Sequence, residues 1–218
     1  MRSVQRLLPD LRLEYTALPW SRCLQLAAEG QYDAVLSASH TPERARSLVY
    51  PGGAEADPQQ RMFMVGYALL RRKGSAASWD GQRFLGTGPQ AGQSLGAERG
   101  YSIVQFAREH GAHVEDRYPQ VSSLLDSLKL GRLAGVLINQ EYAAQLLSET
   151  AWAQGFELGG PQLAAKAYYL PFSRAFAQRE PDRVRAIWAA IAKARQQPEF
   201  VRQFSLTMSA GLRRDIKP

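Results

Sequence analysis

The sequence has 218 residues, 45% of them hydrophobic, and a formal net charge of +7. That size and composition allow a buried core in one large domain or two small lobes, and no stretch approaches the roughly 20 uninterrupted apolar residues needed to cross a membrane as a helix. The single cysteine, Cys23, excludes an internal disulfide, and the three histidines, His40, His110 and His113, are too scattered to suggest a metal site.

The opening run from Met1 to Pro9 lacks the apolar centre and small-residue cleavage site of a secretory leader, so the chain is either cytosolic or shown without one. Leu11-Arg12-Leu13-Glu14-Tyr15 alternates as a half-buried strand does. Pro19 breaks the chain, and Trp20 to Glu29 reads as a helix with Trp20, Cys23, Leu24 and Ala27 on one face. On that face Cys23 acts as a small hydrophobe, and Gly30 stands where helices end. Tyr32 to Ala38 predicts a short buried strand leading into the polar loop Ser39-His40-Thr41-Pro42-Glu43-Arg44. Residues 52–59 predict a second loop, and Met62 to Leu70 is an apolar extended run ending at Arg71-Arg72-Lys73.

A stretch rich in Gly, Ser and Ala covers 74–96, with a short strand expected at Ser94 to Ala97. Ile103 to His110 predicts a helix for which Ser102 is placed as the capping residue, and Val114 begins another extended piece. Ser122 to Asp126 opens a helix in a pattern close to a capping box, with Gly131 as its stop. Ala134 to Ile138 reads as a buried strand, Gln140 to Glu149 as a helix, and Ala167 to Leu170 as a strand. Pro181 suits the first turn of a final helix running to about Gln197.

Residues 167–218 hold ten basic and four acidic side chains, so +6 of the +7 excess lies there. In the final helix Arg183, Arg185, Lys193, Arg195 and Arg202 interleave with Val184, Ile187, Trp188 and Ile191. The apolar set recurs at helical spacing, so the cations form a solvated face. No aromatic-and-basic stripe or zinc-finger spacing points to nucleic acid. Strands and helices alternate throughout, which predicts α/β architecture with parallel sheets.

One pattern occurs twice: helix, glycine, short buried strand, polar loop. It runs from Trp20 through Gly30 to Val35, and again from Leu125 through Gly131 to Val136. With Ser39-x-Thr41-Pro42-Glu43-Arg44 after the first copy and Arg99-Gly100-Tyr101-Ser102 before the second, the order and spacing over about 180 residues resemble the bacterial extracellular solute-binding proteins of the polar amino-acid transport type. The resemblance implies a two-lobed periplasmic-binding-protein type 2 fold with a hinge of two crossing strands, Met62–Leu70 and Ala165–Leu170. Lobe 1 would comprise residues 1–66 and 168–218, and lobe 2 residues 67–167. Its members begin with a strand and helix ahead of the segment that starts here, so the resemblance also implies that this opening portion and the leader lie upstream of this sequence.

Ligands of open α/β sheets bind beyond the carboxyl ends of strands, near helix N-termini. Ser37, Ser39, Thr41 and Arg44 follow one strand end, Asn139 follows another, and Tyr101 and Ser102 precede a helix. By resemblance, Arg44 would grip a ligand carboxylate with its two-pronged guanidinium. Ser39, the Ser37 backbone and Ser102 would hydrogen-bond the ligand, and Trp20 would cover its carbon skeleton. Other readings stay open: Arg44 as a surface arginine paired with Glu43 or Glu14, Trp20 as core, Ser102 as a helix cap alone. Asn139 stands where amino-acid binders of this family carry an acid, which puts a standard α-amino acid in doubt.

The expected function is capture of a small polar solute, a carboxylate or amino-acid-like compound, in the periplasm for an ABC importer and its permease. No enzymatic activity, cofactor, metal, nucleic acid or membrane insertion is expected. The competing readings are a sensor module of the same fold and a dehydratase on this scaffold. The second would draw its acid or base from His40 or Glu141.

Overall fold

The computed structural model describes residues 1–90 and 92–200. They form two compact units whose boundaries fall at 64/65 and 165/166. The first unit contains helices α1 (Arg2–Leu7), α2 (Trp20–Ala28) and α3 (Pro42–Ala45), and the short strands β1 (Ala38–Ser39) and β2 (Leu48–Val49). Strand β3 (Phe63–Arg72) starts in this unit and continues into the second. There follow β4 (Ser78–Trp79), β5 (Phe84–Leu85), β6 (Leu95–Glu98), α4 (Ile103–Glu109), β7 (Val114–Tyr118) and α5 (Val121–Lys129). The unit continues with β8 (Gly135–Asn139), α6 (Gln140–Ser148), α7 (Thr150–Gly155) and β9 (Phe156–Leu158). Strand β10 (Ala164–Tyr169) returns the chain to the first unit, which β11 (Phe172–Ser173), α8 (Arg174–Arg179) and α9 (Pro181–Arg195) complete.

The main ladder runs β1-β10-β3-β8-β6-β7, with β9 also on β3. Only β6 is parallel to its neighbours, β7 and β8; β1–β10, β3–β8, β3–β9, β2–β11 and β4–β5 are antiparallel. The expected parallel sheets are thus confined to the second unit. A parallel pair needs a crossover, and α4 and α5 supply it between β6, β7 and β8. Strands β3 and β10, which pass between units without such a crossover, meet their neighbours reversed.

In the second unit Leu70, Leu124, Leu128, Leu133, Val136 and Leu146 are fully buried in one core. The first unit has two clusters. Val184, Ile187, Trp188 and Ile191 of α9 pack with Val4, Leu11 and Phe172, and the Trp188 indole N–H donates to the Leu170 carbonyl at 2.8 Å. Ala27, Val35, Ala38, Leu48, Tyr50 and Tyr169 form the other, with Trp20, Cys23 and Leu24 against it. Arg183, Arg185 and Lys193 are exposed and Arg195 is half-buried; Arg202 lies outside the described residues.

Helix α2 ends as its sequence suggests: Gly30 takes φ +77°, and Gln31 N–H donates back to the Leu26 carbonyl at 2.9 Å. Elsewhere local signals were overruled. Residues 11–15 form no strand, because the alternating side chains pack while the backbone meets no ladder. Of 32–38, only a single bridge from Ala34 to Phe172 and the start of β1 are strand-like. Helix α5 starts at Val121 behind Gln120, and the Ser123 hydroxyl donates to the Gln120 carbonyl at 2.8 Å, so no capping box forms. Pro181 does occupy the first turn of α9.

Candidate functional site

The first unit brings four of the expected residues together. The chain leaves Val35, passes Ser37 in a left-handed conformation (φ +72°), and enters β1. There Ala38 and Ser39 pair with Tyr169 and Tyr168. Thr41 then starts α3: its hydroxyl accepts from the Arg44 N–H at 3.2 Å and Pro42 follows in the first turn. Thr41 was expected at the ligand, and here its hydroxyl caps a helix. The cap winds the backbone so that Arg44, three residues on, turns back onto Ser39 of β1.

Arg44 Nη1 donates to the Ser39 carbonyl and to the Ser39 hydroxyl, each at 2.8 Å. Its guanidinium carbon lies 5.4 Å from the centre of the Trp20 ring, within cation–π range. The Tyr50 hydroxyl donates to the same Ser39 carbonyl at 3.0 Å. Ser39 is 1% exposed and Tyr50 2%, while Arg44 and Trp20 are half-buried. The two hydrogen bonds and the ring hold the guanidinium plane in place, and such a plane presents paired N–H donors suited to a carboxylate. Ser37 lies two residues upstream and contributes the bend that enters β1.

Around this group sit aromatic rings. Tyr50 meets His40 edge-on at 4.9 Å and Tyr169 at 5.9 Å. Burial pushes the Tyr50 hydroxyl up to about 12, against the opposing charge and hydrogen bond of Arg44. Burial lowers His40, partly offset by a hydrogen bond that the imidazole donates to the Ala54 backbone, and its Nε2 is buried without a hydrogen-bond partner among the described residues. Tyr50 was not foreseen as part of this group. Its only trace in the sequence is the apolar run Leu48-Val49-Tyr50, which begins four residues after Arg44 and marks a short strand.

In the second unit, β6 and β8 are adjacent parallel strands. Tyr101 and Ser102 follow the carboxyl end of β6, and Asn139 closes β8. Tyr101 is half-buried and Ser102 is 7% exposed. Ser102 has helical dihedrals and its side chain makes no capping hydrogen bond to α4, contrary to the expected cap. Asn139 is paired opposite Tyr67 of β3, precedes α6 without capping it, and keeps its Oδ1 buried without a hydrogen-bond partner among the described residues. Glu141 is exposed on the first turn of α6. Among the described residues no group of three His, Cys, Asp or Glu side chains could hold a metal ion, and no helix is long and apolar enough to cross a membrane.

No family model matches the chain, and no curated protein sequence matches it. Solved structures do. An ancestral arginine-binding protein bound to glutamine superposes with a TM-score of 0.70 at 15% identity, covering 94% of this chain and 83% of that one. An arginine third transport system periplasmic binding protein from Legionella pneumophila gives 0.70 at 13% identity, covering 94% and 85%. A histidine kinase sensor domain with similarity to periplasmic binding proteins gives 0.67 at 14% identity, covering 97% and 82%. With α/β units joined by β3 and β10, the chain has the two-lobed, type 2 fold of the periplasmic binding proteins.

Proposed function

We propose that the chain captures a small polar solute bearing a carboxylate, such as an amino-acid-like compound, and that Arg44 is the group that grips it. The observation that carries this reading is the doubly anchored guanidinium: Nη1 fixed on the Ser39 carbonyl and hydroxyl, the plane set near Trp20. A guanidinium held in one orientation has lost its rotamer entropy before the ligand arrives, so less of the binding energy goes into ordering it. Likeness in fold to an arginine-binding protein and to a transport-system binding protein supports the same class of ligand.

In this reading the protein works outside the cytoplasmic membrane, delivers its solute to the permease of an ABC importer, and catalyses no reaction. A second reading, a sensor domain that binds the same class of solute and signals, is supported by likeness to the histidine kinase sensor domain. Calorimetric titration with amino acids and simple mono- and dicarboxylates tests the shared core of both. Saturable binding that falls about 30-fold or more in Arg44→Lys, the loss of a charge-assisted pair worth about 2–5 kcal/mol, is the expected result. Binding unchanged in that variant would remove Arg44 from the site. Ammonium-bearing and ammonium-free carboxylates compared in the same titration define the ligand class.

A further inference from the structure

The last turn of α9 and the turn ahead of β3 bring two arginines together in the first unit. The short 3-10 turn Pro58–Gln60 packs against α9. Arg195 donates through Nη2 to the Gln59 carbonyl at 3.0 Å, and Arg61 donates through Nη1 to the Pro58 carbonyl. The two carbonyls belong to adjacent residues, so one turn of backbone holds both cations. Burial lowers the pKa of Arg195 below the ordinary arginine value, and the like charge of Arg61 lowers it further. Its Nε is buried without a hydrogen-bond partner among the described residues.

Like charges held this way repel, and a neighbouring negative charge would stabilise both. The acids near them in sequence are already committed. Asp57 accepts from the Gln59 N–H at 2.8 Å and from the Gln60 side-chain amide at 2.9 Å, and Glu199 pairs with Arg6 at 2.7 Å. Among the described residues neither Arg61 nor Arg195 has an acidic partner. Both are half-buried, so neither is sealed from solvent. Between the same turn and helix runs a groove of about 620 Å³ lined by Gly52, Gln60, Arg185, Trp188, Ala189 and Ala192. Gln60 directly precedes Arg61 and Ala192 stands one turn before Arg195, while Arg185 is occupied by Asp182.

We propose that Arg61 and Arg195 together bind a divalent tetrahedral oxyanion, phosphate or sulfate, at a site that shares no residue with the Arg44 group. A carboxylate carries one charge and two coplanar oxygens, which match a single guanidinium edge. Two guanidiniums present two charges and donors from two side chains. A phosphate group answers with a charge of about −1.5 to −2 and three acceptor oxygens. Both side chains are already tied to backbone carbonyls, so the anion has little rotamer freedom to remove. Once bound, it ties the end of α9 to the root of β3 and relieves the repulsion between the two cations.

Calorimetric titration of the full chain with inorganic phosphate, at an ionic strength held constant with sodium chloride, tests the site. The expected result is one phosphate per chain, bound about tenfold or more weakly in Arg61→Gln and in Arg195→Gln. Lys193→Gln, at an exposed cation of the same last turn, leaves the affinity unchanged. Sodium sulfate competes for the site and acetate at equal concentration does not; the relative affinities of phosphate and sulfate identify the occupant. Thermal melts give a second reading. Phosphate at about ten times its Kd raises the midpoint by about 2 °C or more over chloride, and either glutamine variant loses that gain. Absence of saturable binding overturns the proposal, as does binding that both glutamine variants retain or acetate that competes as well as sulfate. A melting gain shared by every variant overturns it too, being the general salting effect of the anion. Loss of phosphate binding in Arg44→Lys also overturns it, because the anion would then occupy the solute site.

Discussion

Arg44 is joined to Ser39 twice, through the backbone carbonyl and the side-chain hydroxyl, so a single buried serine sets both the position and the rotation of the guanidinium. Ser39→Ala removes one of these bonds and keeps the other. It should weaken carboxylate binding less than Arg44→Lys does, and cost about 1–3 kcal/mol in stability for the lost bond to a charged group. Arg44→Lys should also lower stability by a similar amount, because Arg44 packs near Trp20 and bonds to β1. Urea denaturation alongside ligand titration of the two variants reads both effects.

Tyr50 makes the first unit sensitive to alkali. Its hydroxyl ionises at about 12 in the fold against 10.0 in the unfolded chain, chiefly because it is buried. Between these values the unfolded chain has lost the proton and the folded chain has kept it, so stability present below pH 10 drains away as the pH rises to 12. The loss amounts to about 3 kcal/mol. Denaturation midpoints measured across that window in wild type and Tyr50→Phe check it; the variant should show the shallower decline, although it also lacks the bond to Ser39.

The two faces of α9 should answer substitution differently. Ile191 is 1% exposed in the core of the first unit, and Ile191→Ala should cost about 2–5 kcal/mol for the cavity it leaves. Lys193 is exposed two residues later, and Lys193→Gln should change stability by less than about 0.5 kcal/mol. Chemical denaturation of both variants makes the comparison.

Amide exchange should separate the segments that share an alternating or apolar pattern. Val136, Leu137 and Ile138 lie in β8 with strands on both sides and should exchange slowly. Residues 12–16 have no backbone hydrogen-bond partners among the described residues and should exchange at near-unprotected rates. Comparable protection in the two segments would contradict the pairing described for them.

These contrasts also explain what could be read from the sequence. Helices α2 and α9 were legible because their apolar residues recur at helical spacing and a glycine or proline marks an end. Strands β6 and β8 were legible as short apolar runs between such helices. Alternation in Leu11 to Tyr15 reported which side chains are buried, not whether a neighbouring strand exists, and pairing is a tertiary fact. At the site, the grouping of Ser39 with Arg44 followed from a polar loop after an apolar run. The capping role of Thr41 could have been read from Thr-Pro-Glu, since a threonine before a proline is a common helix start. The part played by Tyr50 could not be read, because the bond from its hydroxyl to the Ser39 carbonyl is a tertiary contact. Ser102 failed as a cap because its own dihedrals are already helical.

Ser37 has a further consequence. In an uninterrupted strand with Val35 inward, Ala38 would face out; instead Val35, Ala38 and Ser39 are all buried. The one left-handed residue between them turns the backbone into β1. The site therefore depends on counting as much as on chemistry. Deleting or inserting a single residue between Val35 and Ser39 would throw the serine hydroxyl to the opposite face and strip Arg44 of an anchor, with every side chain of the group still encoded. Length variation among homologous chains should be absent from this segment.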